Sequence, residues 1–192
     1  MLAKTVSQKI KERNIVMAVG NDKITYIPHV GVVVAKGHDA ALFKVGMDIR
    51  GGLVFPYEFE DKDPEDPEDS SSPLYMFFNE TFRIWTEKDK TTISGMSFSH
   101  TFIFNGYELI GMDFEKLSQL NLFSFDYIKD SLYSVGSDIN FRYYKVCYNL
   151  KYKFSVYIWR KKIREITINA AFFRKKLYKN IQFLDYFDIN KQ

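Results

Sequence analysis

The sequence predicts an α+β fold: predominantly antiparallel β-sheet, built of meanders and hairpins, with an amphipathic helix at the N-terminus and another at the C-terminus. Three observations predict it. Every even position from 144 to 158 is apolar or aromatic, which is the period of a half-buried strand. Asn105-Gly106 separates two apolar runs, and that dipeptide suits the positive φ angles of a type I′ hairpin turn. Near both ends the apolar period lengthens to three or four residues, as on one face of a helix.

Taken in order, Leu2, Ala3, Val6 and Ile10 form a helical stripe with Lys4, Lys9, Lys11 and Arg13 around it. Such a helix covers a sheet edge or docks on a partner. Residues 15–19 are a compact apolar run closed by the turn residues Gly20, Asn21 and Asp22. Residues 23–27 form the next strand, which ends at Pro28 because proline has no donor for a central ladder. Residues 30–35 are valine-rich and read as a buried strand. Shorter strands at 42–45 and 53–55 are separated by Gly46, Asp48, Gly51 and Gly52.

Residues 58–72 read as a flexible acidic surface loop. Residues 58–69 hold eight acids against one lysine; two prolines block regular structure and serines follow. Strands resume at 74–78, 82–85 and 91–98, with a turn at Asp89-Lys90. The Asn105-Gly106 hairpin comes next. Asp113 is placed to cap a short helix running to Leu120, with Glu115 in its first turn. Residues 125–133 read as a second helical segment ending near Gly136.

Residues 144–158 would span about 50 Å as one strand, far beyond the usual five or six residues. A hairpin near Asn149 is therefore expected. A loop of three or five residues keeps the even positions on the core side, so a bulged hairpin or one long bent strand is predicted. Arg160, Lys161 and Lys162 form a charged turn, and Ile166, Ile168 and Ala170 resume the alternation. Beyond it Phe173, Leu177, Ile181, Leu184 and Phe187 line a helical face, with Lys176 and Asn180 intruding on it.

At 192 residues the chain suits one domain, 1–192, large enough to bury a sizeable core. A single cysteine excludes an intrachain disulfide and a cysteine-rich zinc site, and Cys147 reads as a packing residue. No run approaches the roughly 20 apolar residues of a membrane span, and the first residues lack a signal-peptide core. The expectation is a soluble chain with no membrane partner, cytoplasmic or within an assembled particle.

The net charge of +3 hides a strong polarity. Between Arg142 and Lys179 stand twelve cationic side chains and one acid, Glu165. Solubility needs far less. The leading reading is a non-enzymatic binding protein whose partner is nucleic acid or an acidic protein surface. Arg142, Lys145, Lys151, Lys153, Arg160, Lys161, Lys162, Arg164, Lys175 and Lys179 supply the field. Tyr157 and Trp159, on the less apolar parity, supply stacking. The plainer alternative is a solvated sheet face, with the aromatic content of 17% reflecting an AT-rich genome. A second class is a structural subunit of a virus particle or ribonucleoprotein, self-associating through its opposed charge blocks.

A third class is a metal-dependent hydrolase or nuclease. His29, His38 and His100 are the only histidines, and His38 precedes Asp39. Asp48 with Glu60, Asp61 and Lys62 matches the letters of a nuclease motif, but Glu60 to Lys62 opens the acidic loop instead of ending an apolar strand. Glycine-rich phosphate loops, a nucleophile elbow and HExxH are all missing from the sequence. No cofactor and no catalytic residue is implied.

Overall fold

A computed structural model of the chain describes residues 23–61, 72–134 and 141–169. Thirteen strands are defined there: β1 (Lys23–Ile27), β2 (Gly31–Lys36), β3 (Asp39–Phe43), β4 (Tyr57–Glu60), β5 (Leu74–Phe77), β6 (Phe82–Thr86), β7 (Ile93–Phe98), β8 (Ile103–Phe104), β9 (Tyr107–Glu108), β10 (Tyr127–Ser134), β11 (Phe141–Asn149), β12 (Phe154–Trp159) and β13 (Lys162–Asn169). One α-helix, α1 (Phe114–Gln119), and one 3-10 turn, Ile49–Gly52, join them.

The strands make two layers. Five run in the order β3-β2-β1-β8-β9, and eight in the order β10-β11-β12-β13-β7-β6-β5-β4. Neighbours are antiparallel except β1 and β8, which pair in parallel through Thr25↔Ile103 and Tyr26↔Phe104. Aromatic side chains fill the space between the layers. Phe43 meets Phe82 at 5.2 Å, and Phe154 meets Tyr26 at 5.9 Å and Phe104 at 5.8 Å. The core is a sandwich interior, fed by alternate residues of both sheets.

The α+β class is therefore overturned. The described chain is nearly all β, with α1 its one α-helix. The two terminal helices on which that class rested fall in residues that lie outside the described ones. A third expected helix is corrected outright. Residues 127–134 form β10, paired with β11 from Tyr127↔Tyr148 to Ser134↔Phe141. The segment's apolar spacing is compatible with either period, and eight cross-strand pairs decide it.

Local signals did place other elements. Asn105 (φ 48) and Gly106 (φ 83) turn between β8 and β9 with both angles positive, as a type I′ turn requires. Asp113 stands at the N-cap of α1 in extended conformation, although its side chain makes no capping hydrogen bond. The acidic stretch begins inside a strand: Glu58 and Glu60 belong to β4, while residues 62–71 lie outside the described ones.

The core parity of β11 is a further correction. Asn149 pairs with Phe154, so the hairpin loop holds four residues, 150–153. Four residues reverse the parity. Cys147 and Asn149 share the sandwich side with Phe154 and Val156, while Tyr144, Val146 and Tyr148 lie on the other side with Ser155 and Tyr157, where Val146 and Ser155 are nonetheless fully buried. Asn149 sets that length. Its Oδ1 accepts from the Tyr152 backbone N–H at 2.6 Å, and its Nδ2 donates to the Ser124 carbonyl at 2.6 Å. Among the described residues, no helix is long and apolar enough to cross a membrane.

Candidate anion-binding surface

β12 and β13 are joined by a two-residue turn, closed by the pair Trp159↔Lys162. Its two residues are Arg160 (φ 49) and Lys161 (φ 63). Both sit in the left-handed region, where glycine and asparagine are at ease and long side chains are uncommon. Three backbone hydrogen bonds lace residues 111–114 to this hairpin. Gly111 N–H donates to the Ile163 carbonyl at 2.8 Å, Ile163 N–H to the Met112 carbonyl at 2.9 Å, and Phe114 N–H to the Lys161 carbonyl at 2.8 Å. The tip is thus held from the side as well as along its own ladder.

Alternation puts Trp159 on the outer face. Arg142 of β11 approaches its ring to 4.4 Å, Arg160 to 4.3 Å and Arg164 to 5.6 Å. One indole therefore gathers three guanidinium groups, each contact contributing about 0.5–1 kcal/mol where exposed. Among the described residues no carboxylate stands within ion-pair distance of Arg142, Arg160 or Arg164. Lys161 reaches Glu115 at 3.9 Å, with both side chains well exposed, a contact of little energetic weight.

The other residues singled out by sequence divide into three groups. Lys162 and Tyr157 stay near the cluster: Lys162 is exposed beside the turn, and Tyr157 lies two residues inward, edge-on to Tyr144 at 6.3 Å. Lys145 is exposed at the same end of the sheet, in a cleft of about 310 Å³ that it shares with Arg160 and Lys161 and with the acids Glu115 and Asp130. Lys151 and Lys153 sit in the 150–153 loop at the far end of β12, about 20 Å away at ~3.3 Å per residue. Lys175 and Lys179 lie outside the described residues. The cations of this region thus form two separated groups.

Glu165, the one acid of the basic stretch, lies opposite Tyr157 on β12. Burial raises its carboxyl above the ordinary glutamate value of 4.5, partly offset by the Ser97 hydroxyl, the Arg83 guanidinium and the Thr167 hydroxyl. The cation that answers it is Arg83, which is not part of the Trp159 group.

The metal and nuclease candidates do not converge. His29 lies in the β1–β2 turn, His38 in the β2–β3 turn at the other end of β2, and His100 just after β7. Among the described residues no three His, Cys, Asp or Glu side chains are grouped to hold a metal ion. Asp48 is engaged by Arg50, whose backbone N–H donates at 2.9 Å and Nε at 3.0 Å. Glu60 ends β4, and Lys62 lies outside the described residues. Burial pushes the Cys147 thiol up to about 11, so it is no ready nucleophile.

Reasoning from sequence missed the left-handed pair Arg160-Lys161. A signal was there: two residues separate the runs that end at Trp159 and begin at Lys162, the spacing of a tight hairpin. Three consecutive cations disguised it, because tight hairpin turns are recognised by asparagine and glycine.

No family model matches this chain, no curated protein matches it, and no solved structure matches it.

Proposed function

We propose that this is a non-enzymatic binding protein whose β12–β13 tip engages nucleic acid. One observation carries the reading: Arg160 and Lys161 are held left-handed at the tip, beside an indole ringed by Arg142, Arg160 and Arg164. Left-handed backbone at bulky residues is unfavourable by about 1–3 kcal/mol each and gathers at functional sites. A phosphate backbone satisfies the guanidinium groups, and an unpaired base stacks on the ring and the guanidinium planes. Single-stranded nucleic acid fits this chemistry better than duplex, because stacking needs an unpaired base.

The test is a titration of a labelled single-stranded oligonucleotide by anisotropy at 50 and 200 mM salt. With three or four phosphates neutralised, affinity is expected to fall about 20- to 50-fold between the two, and Trp159→Ala and Arg142→Ala each weaken it. Salt-insensitive binding, or none, overturns the reading. Equal competition by polyglutamate moves the partner to an acidic protein surface.

A second reading, a subunit of a larger assembly, has its own support. The eight-stranded sheet ends in β4 and β10, and among the described residues no further strand pairs with either. β4 exposes Tyr57 and Phe59 beside Glu58 and Glu60, while the cation cluster lies toward the other end of the sheet. Unpaired edges invite pairing with another copy. A monomer by sedimentation at low salt and high concentration removes this reading. Both readings suit a cytoplasmic protein or one packed within a particle.

A further inference from the structure

The second group of cations surrounds a cavity. It opens between the two sheets, where the β1–β2 turn faces the 150–153 loop, and its volume is about 190 Å³. The floor is made by Val32, Met96 and Ile168, all buried. Lys44 and Lys151 stand exposed at the mouth, with Lys153 beside them. His29 completes the rim from the β1–β2 turn.

Four features make this more than a dip in the surface. The lysines arrive from two separate segments, Lys44 and the 150–153 loop, and no acid lines the cavity. Among the described residues no carboxylate lies within ion-pair distance of Lys44 or Lys151, and Lys151 stands over the Tyr152 ring at 5.1 Å. His29 (φ 65) and Lys153 (φ 62) are both left-handed, which places backbone strain on opposite sides of the opening. The mouth is also braced. The Tyr26 hydroxyl donates to the Tyr152 carbonyl at 2.5 Å, tying β1 to the loop that carries both lysines. Burial, with the neighbouring Tyr152, pushes the Tyr26 phenol up to about 12, so it keeps the proton that makes this bond.

Size and polarity select the ligand. At about 190 Å³ the cavity is somewhat larger than the roughly 150 Å³ apolar cavity that holds benzene, room for a short chain of carbons. A buried apolar floor beneath a cationic rim matches an amphipathic anion. We infer that this cavity binds a short-chain organic carboxylate, its tail against Val32, Met96 and Ile168 and its charge between Lys44 and Lys151. The site is separate from the Trp159 cluster and does not depend on the nucleic-acid reading.

The experiment is an NMR titration of the full chain, observing the methyl groups of Val32, Met96 and Ile168. The probes are hexanoate, hexanol (the same body without the charge) and acetate (the charge without the body). Hexanoate is expected to shift these methyls to saturation in the millimolar range, with hexanol and acetate about tenfold weaker or more. Lys44→Ala and Lys151→Ala, both at exposed positions, are each expected to weaken hexanoate about two- to fivefold while leaving the remaining spectrum unchanged. Trp159→Ala leaves hexanoate binding intact. An absence of saturable shifts, hexanol binding as tightly as hexanoate, or lysine variants that bind like the parent each overturns the assignment.

Discussion

Arg160 and Lys161 show how a single pair of residues can work against its own backbone. Their left-handed angles match the twist of the β12–β13 hairpin, and Asn-Gly meets the same requirement with far less strain. Replacing the pair by Asn-Gly is expected to raise stability by about 1 kcal/mol or more in urea denaturation. The same variant is expected to bind nucleic acid more weakly. A variant that gains stability and keeps full affinity would show that the tip is only a turn. Glu165 makes a second point at this scale. A carboxyl whose folded value is raised holds its proton more tightly in the folded chain than in the unfolded one. Stability contributed by this group is therefore lost as pH rises through the interval above 4.5. Glu165→Gln removes that titration. Its melting temperature is expected to exceed the parent's at neutral pH, and the gap to close as pH falls below the ordinary glutamate range. A constant gap across pH would mean the carboxyl titrates normally.

Among the elements, the β11–β12 hairpin is the most instructive. Period-two alternation announced its strands correctly, yet next to the loop Cys147 and Asn149, not Tyr148, join the sandwich core, while Val146 is buried from the other side. Only the loop length separates the two outcomes, since one residue more or fewer flips every later side chain. Asn149 fixes that length by reaching Ser124, twenty-five positions earlier in the chain. No local pattern carries such information. Asn149→Ala leaves the Ser124 carbonyl and the Tyr152 N–H without their partner at a buried site. A loss of about 2–3 kcal/mol is expected from chemical denaturation. A loss below about 0.5 kcal/mol would show that the loop closes without it. β10 teaches a related lesson: its residues suit a helix or a strand, and the neighbouring β11 settles the choice. By contrast the Asn105-Gly106 hairpin and the start of α1 were legible, because the residues that specify them lie within the elements themselves.

For the whole molecule, the two sheets adhere through stacked and edge-on rings set among buried isoleucines, valines and leucines. Phe154 sits where the layers meet, 5.1 Å from Phe123 and 5.8 Å from Phe104, and fully buried. Phe154→Ala is expected to cost about 3–5 kcal/mol, a large part of the ~5–15 kcal/mol that holds a typical domain together. Thermal or urea unfolding measures it; a cost near 1 kcal/mol would mean that the sheets do not depend on this contact. The aromatic content that looked ambiguous in the sequence thus has a structural use in the described residues.

The sequence by itself determined where most strands and tight turns lie, because period and turn chemistry act over a few neighbouring residues. It also determined that the region after residue 140 is strongly cationic. Tertiary structure alone decided how that charge is distributed. A four-residue loop and a two-residue turn put Arg142, Arg160 and Arg164 around Trp159 at one end of the hairpin, and Lys151 and Lys153 over a cavity at the other. Strand pairing converts small differences in loop length into opposite faces and opposite ends, and at the 150–153 loop the contact from Asn149 to the distant Ser124 carbonyl, not local spacing, holds that length.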